Sequence, residues 1–260
     1  MSKTYYYLIH IQYLGFRFSG WAKQPKVKTI HQMIDKTMCF MFGENRTKTL
    51  GCSRTDAKVS ANHFVFELFI DEEVLDFNEF INGFNSNSPA DLKALRIEKT
   101  TANFNIINHS KIKEYVYLFA YGQKAHPFSA PLVTTVNEKL DIELMKKGAK
   151  CFEGTHNFVR YGTKLSNKTN TIRTINLCEI IENNLYKANF FPEQTFLMRI
   201  QSKGFMRNQV RLIMGQLFEL GKGYISIVDI KNSLTGENTN YFNTIAPQSG
   251  LILQNVSFDK

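Results

Sequence analysis

No two cysteines in this 260-residue chain are spaced to act together. Cys39, Cys52, Cys151 and Cys178 lie far apart, with no C-x-x-C pair and no His cluster beside them. That argues against a zinc site, and a disulfide framework is not expected in a chain of this length. Buried free thiols in a reducing compartment are the simpler expectation. No apolar run approaches the ~20 residues that a membrane-crossing helix needs. The opening Met1-Ser2-Lys3-Thr4 runs straight into Tyr5-Tyr6-Tyr7-Leu8-Ile9, not into a basic stretch followed by a long apolar one. A phosphate-binding P-loop, a dinucleotide fingerprint and a metal triad are also missing. The expectation is a soluble, cytoplasmic protein that uses no metal and no cofactor.

Acidic residues are in short supply as well: 23 Asp and Glu against 32 Lys and Arg, for a net charge of +9. Beside that excess stand 22 Phe and 11 Tyr. A basic surface rich in rings suits a polyanion whose bases stack. The same rings also serve a core, and the same lysines also serve solubility. At 43% hydrophobic and 21% charged the composition is otherwise that of an ordinary globular protein. The length allows one large domain or two small ones.

Read in order, Tyr5 to Tyr13 is a strand, followed by a Gly-bearing aromatic loop from Leu14 to Trp21. Thr29-Ile30-His31-Gln32 fits a helix-opening capping box, and Ile30, Met33, Ile34, Met38 and Met41 keep helical spacing up to Gly43. Thr47 to Ser53 and His63 to Ile70 are strands, Asp76 to Phe84 a short helix, and Lys93 to Lys99 a further strand. Two strand–helix–strand passages make the split βαβ arrangement of ferredoxin-like domains. The second half repeats the scheme loosely. In Lys113 to Tyr121, Tyr115, Tyr117, Phe119 and Tyr121 share one face and Val116, Leu118 and Ala120 the other. Asp141 to Phe152 is a helix; Ile175 to Ile181, Tyr186 to Phe190 and Phe196 to Gln201 are strands. Helices from about Phe205 to Leu220 and from Ser226 to Leu234 precede a strand from Leu251 to Phe258. The boundary falls near Ala102 to Ser110, giving domains of residues 1–105 and 106–260.

One stretch is chemically unlike the rest. Gly51-Cys52-Ser53-Arg54-Thr55-Asp56-Ala57-Lys58-Val59-Ser60-Ala61 packs Ser, Arg, Thr and Asp into one loop at the mouth of a strand. Taken alone, Asp56 can be a turn cap and Arg54 a solvated charge. A carboxylate held where a strand begins, two residues from a guanidinium, is also a normal way to mount a catalytic group on a rigid scaffold. Arg211, in Gly204-Phe205-Met206-Arg207-Asn208-Gln209-Val210-Arg211-Leu212-Ile213-Met214-Gly215, lies beside the apolar stripe of Met206, Val210, Ile213 and Leu217. There it needs an anion, a wet cleft, or room for its head to reach water.

Arg-Thr-Asp-Ala-x-Val-x-Ala between two strands resembles the catalytic motif of the tRNA pseudouridine synthase A family. The similarity extends to Gly20-Trp21 and the Thr29-to-Gln32 helix start, to Lys113-Glu114-Tyr115-Val116-Tyr117, to Gly154-Thr155-His156-Asn157-Phe158, to the Arg211 segment, and to Ala246-Pro247-Gln248-Ser249-Gly250-Leu251-Ile252-Leu253. The resemblance implies an α+β fold in which two ferredoxin-like halves form one continuous, mainly antiparallel sheet with helices on one face. It implies an isomerase that turns uridine into pseudouridine in the anticodon arm of tRNA, acting as a homodimer away from any membrane. Asp56 would be the nucleophile or base, Tyr115 would stack on the flipped uracil, and Arg211 would pair with Asp56. Arg54 and Thr55 would support the flipped nucleotide, and Leu251 and Leu253 would wall its pocket or fill the sheet. Lys58, Lys113, Lys164, Lys168, Arg173 and Arg207 would contact RNA backbone. His156 is read as a structural turn residue. Departures from the family pattern are Ala22 for Gln, Lys58 for Gly, Ser60 for His and Ile107 for Arg. The rival readings are a relative acting on another RNA and a non-catalytic RNA-binding protein.

Overall fold

The computed structural model describes residues 3–237, 240 and 242–258. The chain packs as two compact units. One runs up to Lys111 and takes the chain back from Leu253; the other is Ile112–Ile252.

In the first unit the order is β1 (Tyr5–Tyr13), α1 (Ile30–Phe42), β2 (Thr47–Gly51), β3 (Ser60–Ile70), α2 (Phe77–Asn87) and β4 (Leu92–Lys99). Strands β4, β1 and β3 lie side by side in that order, and β2 pairs with the Phe66–Ile70 half of β3, every pairing antiparallel. This is the ferredoxin-like pattern expected from the alternation of strand and helix signals. Side chains explain the helix ends. Thr29 Oγ1 accepts from the Gln32 amide to open α1, and Asp76 accepts from Asn78 and Glu79 to open α2. One face of the sheet takes the helices: Tyr7 meets Phe77 edge-on and Phe66 packs near Phe84.

The second unit contains most of β5 (Ser110–Tyr121), then β6 (Thr134–Val136), α3 (Ile142–Lys150), β7 (Gly154–Asn157), β8 (Ile172–Glu182), β9 (Phe196–Ser202), α4 (Gln209–Gly221) and α5 (Ile227–Asn232). The strands run β5-β9-β8-β7, antiparallel, and β6 adds to β5 in parallel. The alternation read along β5 has a direct physical outcome. Tyr117 and Phe119 meet Phe218 of α4, while Val116, Leu118 and Ala120 join Val133, Leu197 and Ile252 in a separate core. A tenth strand, β10 (Leu251–Phe258), begins here and passes into the first unit, where Asn255 bonds to His63 of β3 at 2.6 Å.

Three elements differ from the sequence expectation. Tyr186 to Phe190 is not a strand: the Asn183 side chain accepts from the Leu185 and Tyr186 amides and donates to the Tyr186 carbonyl, taking the groups a ladder would need. Helix α4 starts at Gln209 instead of Phe205, because Asn208 adopts a left-handed backbone with φ 62. Instead of being amphipathic, α4 is buried on every side from Gln209 to Leu220 except at Glu219. The Gly154–Asn157 turn is extended enough to pair with β8 as β7. Of the four thiols, Cys52 and Cys178 are buried as expected, whereas Cys39 is exposed.

Candidate active site

The Asp56 loop belongs to the first unit and is held by the segment that follows β1. Backbone bonds do most of this: Trp21 N to Thr55 O (3.1 Å), Lys58 N to Phe18 O (3.0 Å) and Val59 N to Asp56 O (3.3 Å). A buried bond joins the Thr55 and Tyr13 hydroxyls at 3.0 Å, and Ser60 Oγ accepts from Gly15 N at 3.0 Å. Gly20 sits at φ +87, and a Cβ there would lie 2.5 Å from the Thr55 carbonyl. Only glycine lets the two chains come this close. The indole of Trp21 stacks on Phe64 at 4.1 Å and on His31 at 5.2 Å, so the clamp itself is anchored in the core. The backbone on both sides of Asp56 is therefore fixed, which aims a carboxylate without covering it: Asp56 is half-buried, Thr55 is buried and Arg54 is exposed.

Lys58 has φ 64. A left-handed backbone for a side chain with a Cβ costs roughly 1–2 kcal/mol, which accounts for a glycine preference at this position. Its ammonium lies over the Phe16 ring at 5.6 Å.

Tyr115 and Arg211 belong to the second unit. Tyr115 is only 7% exposed and meets the edge of Phe205 at 5.4 Å. Arg211 is 8% exposed, so its head does not snorkel to water. Nε donates to Ala246 O at 2.7 Å and Nη1 to Asn208 Oδ1 at 3.1 Å, while Ala246 N donates back to Arg211 O at 3.1 Å. The next residue continues the brace, because Pro247 O accepts from the Tyr117 hydroxyl at 2.8 Å. Gly250 O then accepts from Leu118 N at 2.8 Å. Burial pushes the Tyr117 phenol well above its ordinary range, so it remains a neutral donor. Gly215 permits the contact: a Cβ there would lie 2.2 Å from Thr244 O. Two stretches that look unrelated in sequence, the Arg211 helix and Ala246–Leu251, thus form one braced structure.

The remaining candidates are spread over both units. Leu251 lies in the second unit and Leu253 in the first; both are buried, Leu253 completely. Lys58, Lys164, Lys168 and Arg207 are exposed, and Lys113 and Arg173 half-buried. His156 Nε2 donates to Glu153 O at 2.8 Å, as a turn-stabilising residue does. No group of three or more His, Cys, Asp or Glu among the described residues is arranged to hold a metal ion. No helix among them is long and apolar enough to cross a membrane.

Sequence reasoning missed one polar cluster. On the face of the first unit away from α2, His10 Nε2 bonds to Glu98 at 2.9 Å and His10 Nδ1 lies 2.7 Å from His63 Nε2. Burial lowers the His10 pKa from 6.5 to about 4. Nothing local in sequence signals this, since the partners lie on different strands.

The first unit thus presents a carboxylate from a clamped strand-entry loop, and the second carries a braced arginine and a packed tyrosine. Comparison with known proteins gives the class, that of an RNA-modifying enzyme. A family model described as tRNA pseudouridine synthase matches residues 149–259. A protein of Bacillus thuringiensis subsp. konkukian named tRNA pseudouridine synthase A 2 is 32% identical over 97% of this chain and 99% of its own length. Relatives in Clostridium tetani, named tRNA pseudouridine synthase A 1, and Clostridium botulinum, named tRNA pseudouridine synthase A, are 31% and 29% identical. Each covers 95% of this chain and 97% of its own. The chain belongs to the tRNA pseudouridine synthase A family, and its mixed fold with an open, mainly antiparallel sheet is the pseudouridine synthase fold.

Proposed function

We propose that this protein converts uridine to pseudouridine in the anticodon stem-loop of tRNA, with Asp56 as the catalytic carboxylate. The observation that carries the reading is the Arg54-Thr55-Asp56 loop, fixed on both sides by backbone bonds, in a chain related to the family over nearly its whole length. The reaction is redox-neutral. The N1–C1′ bond breaks with its electron pair passing to the uracil, the ring turns, and C5 bonds to C1′. The C5 proton is lost and N1 ends with one, so product and substrate are isomers.

Asp56 acts at the sugar, either adding to C1′ or removing the C2′ proton to give a glycal. Tyr115 stacks on the extruded base, a contact worth roughly 1–3 kcal/mol. Arg211 is the counter-charge that orients Asp56. Flipping the nucleotide out of its stack costs roughly a few kcal/mol, offset by that stacking, by Arg54 and Thr55 at the flipped nucleotide, and by Leu251 beside the base. Lys58, Lys113, Lys164, Lys168, Arg173 and Arg207 bind RNA backbone without reading sequence. The enzyme works in the cytoplasm as a homodimer whose two subunits share the RNA groove.

Carbodiimide marking of pseudouridine in cellular tRNA, followed by mapping of reverse-transcription stops with and without the gene, tests the substrate. Stops must disappear from the anticodon arm when the gene is removed. Loss only in another RNA would assign a different substrate, and no loss anywhere would leave an RNA-binding protein. Asp56→Ala tests the role: product formation is abolished while RNA affinity stays within about tenfold, because affinity comes mainly from cationic contacts. Turnover above background in that variant removes Asp56 from catalysis.

A further inference from the structure

Asn208 occupies the N-cap of α4, yet its side chain makes no capping bond to the helix. An N-cap asparagine ordinarily sits in extended backbone and accepts from an amide of the first turn. Here the backbone is left-handed, at φ 62, and the amide is turned elsewhere. Nδ2 donates to Thr163 Oγ1 at 2.8 Å, and Oδ1 accepts from Arg211 Nη1 at 3.1 Å. The threonine decides which end of the amide meets the guanidinium, because its hydroxyl takes the NH2 group and leaves the oxygen for Arg211. Thr163 is itself anchored, its amide donating to Arg207 O at 3.2 Å. On its other side the guanidinium is held through Nε by Ala246 O. A planar group bonded at Nε and at Nη1 is fixed in place and in the direction of its plane.

We propose that Asn208, locked by Thr163, is a positioning residue that sets the direction of the Arg211 guanidinium for catalysis. This explains why α4 starts on a strained residue, for strain at a helix start persists when the surrounding site requires it. The inference rests on the reading of Arg211 as the counter-charge of Asp56.

Asn208→Gly separates positioning from structure. Glycine adopts the left-handed backbone freely, so the variant keeps the helix start and deletes only the amide. The expected result is a Tm within about 2 °C of wild type or above it, since removal of strain offsets loss of the bonds. Affinity for tRNA and KM stay unchanged, and kcat falls about tenfold or more, as for a catalytic group no longer held in line. Thr163→Val, which lets the amide rotate, is expected to lower kcat in the same way, and Thr163→Ser to recover it. Wild-type kcat in Asn208→Gly overturns the proposal, as does a fall in kcat that comes with a matching fall in Tm. Arg211→Lys, measured alongside, keeps the two ideas apart. If it loses activity while Asn208→Gly does not, only the positioning role fails; if it retains wild-type kcat, the reading of Arg211 fails and the positioning role with it.

Discussion

Acidification is expected to destabilise the fold through His10. The side chain is 2% exposed, and burial lowers its pKa from 6.5 to about 4. Its neighbours pull in both directions: Glu98 favours the charged form, while Arg96 and His63 oppose it. The sign follows from proton binding. Below pH 6.5 the unfolded chain takes up a proton that the folded protein refuses until about pH 4, so stability is full above 6.5 and is lost as pH falls through that window. The full shift corresponds to about 3 kcal/mol, and between pH 8 and pH 5.5 the loss from His10 alone is about 1.4 kcal/mol. Urea unfolding at a series of pH values measures it, comparing wild type with His10→Gln. The variant is less stable throughout because it loses buried bonds, but its stability is expected to fall about 1 kcal/mol less over that range. His63, also lowered mainly by burial, accounts for part of the slope that remains. Equal slopes for the two proteins would refute the reasoning, whatever their absolute stabilities.

Three further substitutions probe the Asp56 loop. Gly20→Ala places a Cβ 2.5 Å from the Thr55 carbonyl at φ +87; calorimetry is expected to show a loss of about 2 kcal/mol or more, a Tm drop of roughly 4–8 °C, together with lower kcat. Tyr13→Phe leaves the buried Thr55 hydroxyl without its partner, which destabilises by about 1–3 kcal/mol in chemical denaturation. Lys58→Gly relieves the left-handed backbone at φ 64 and is expected to stabilise by about 0.5–1 kcal/mol after the larger entropy of the unfolded chain is deducted. If Lys58 also meets phosphate, the same variant binds tRNA more weakly, and the slope of log affinity against log salt falls by about 1. An unchanged slope removes Lys58 from the RNA contacts.

Where the fold is written in side chains, it could be read. The alternation along Lys113 to Tyr121 separates the faces of β5, and the Thr29 and Asp76 caps mark the starts of α1 and α2. Tyr186 to Phe190 shows the opposite case, an apolar segment claimed by the amide of Asn183, three residues before it. The Arg54-Thr55-Asp56 triplet is visible as a motif, but what clamps it is not: Trp21 N to Thr55 O and Lys58 N to Phe18 O are bonds between backbone groups that every residue carries. The brace from Arg211 to the carbonyl of Ala246 is hidden for the same reason. His10, His63 and Glu98 meet only through strand register, across 53 and 88 residues of sequence. Lys58 was legible as a departure from a pattern, and only its φ reveals why glycine is favoured there.

Strand β10 has a consequence for how the molecule is made. His63 leaves the ribosome 192 residues before Asn255, the group it bonds to. At ordinary translation speeds that gap is roughly 10–40 s, and throughout it the nascent first unit has β3 without this neighbour while residues 112–252 are being produced. An open strand flank of that kind invites mispairing with other chains. The organism that makes this protein must therefore keep a half-built sheet out of trouble until its own distant segment arrives to close it.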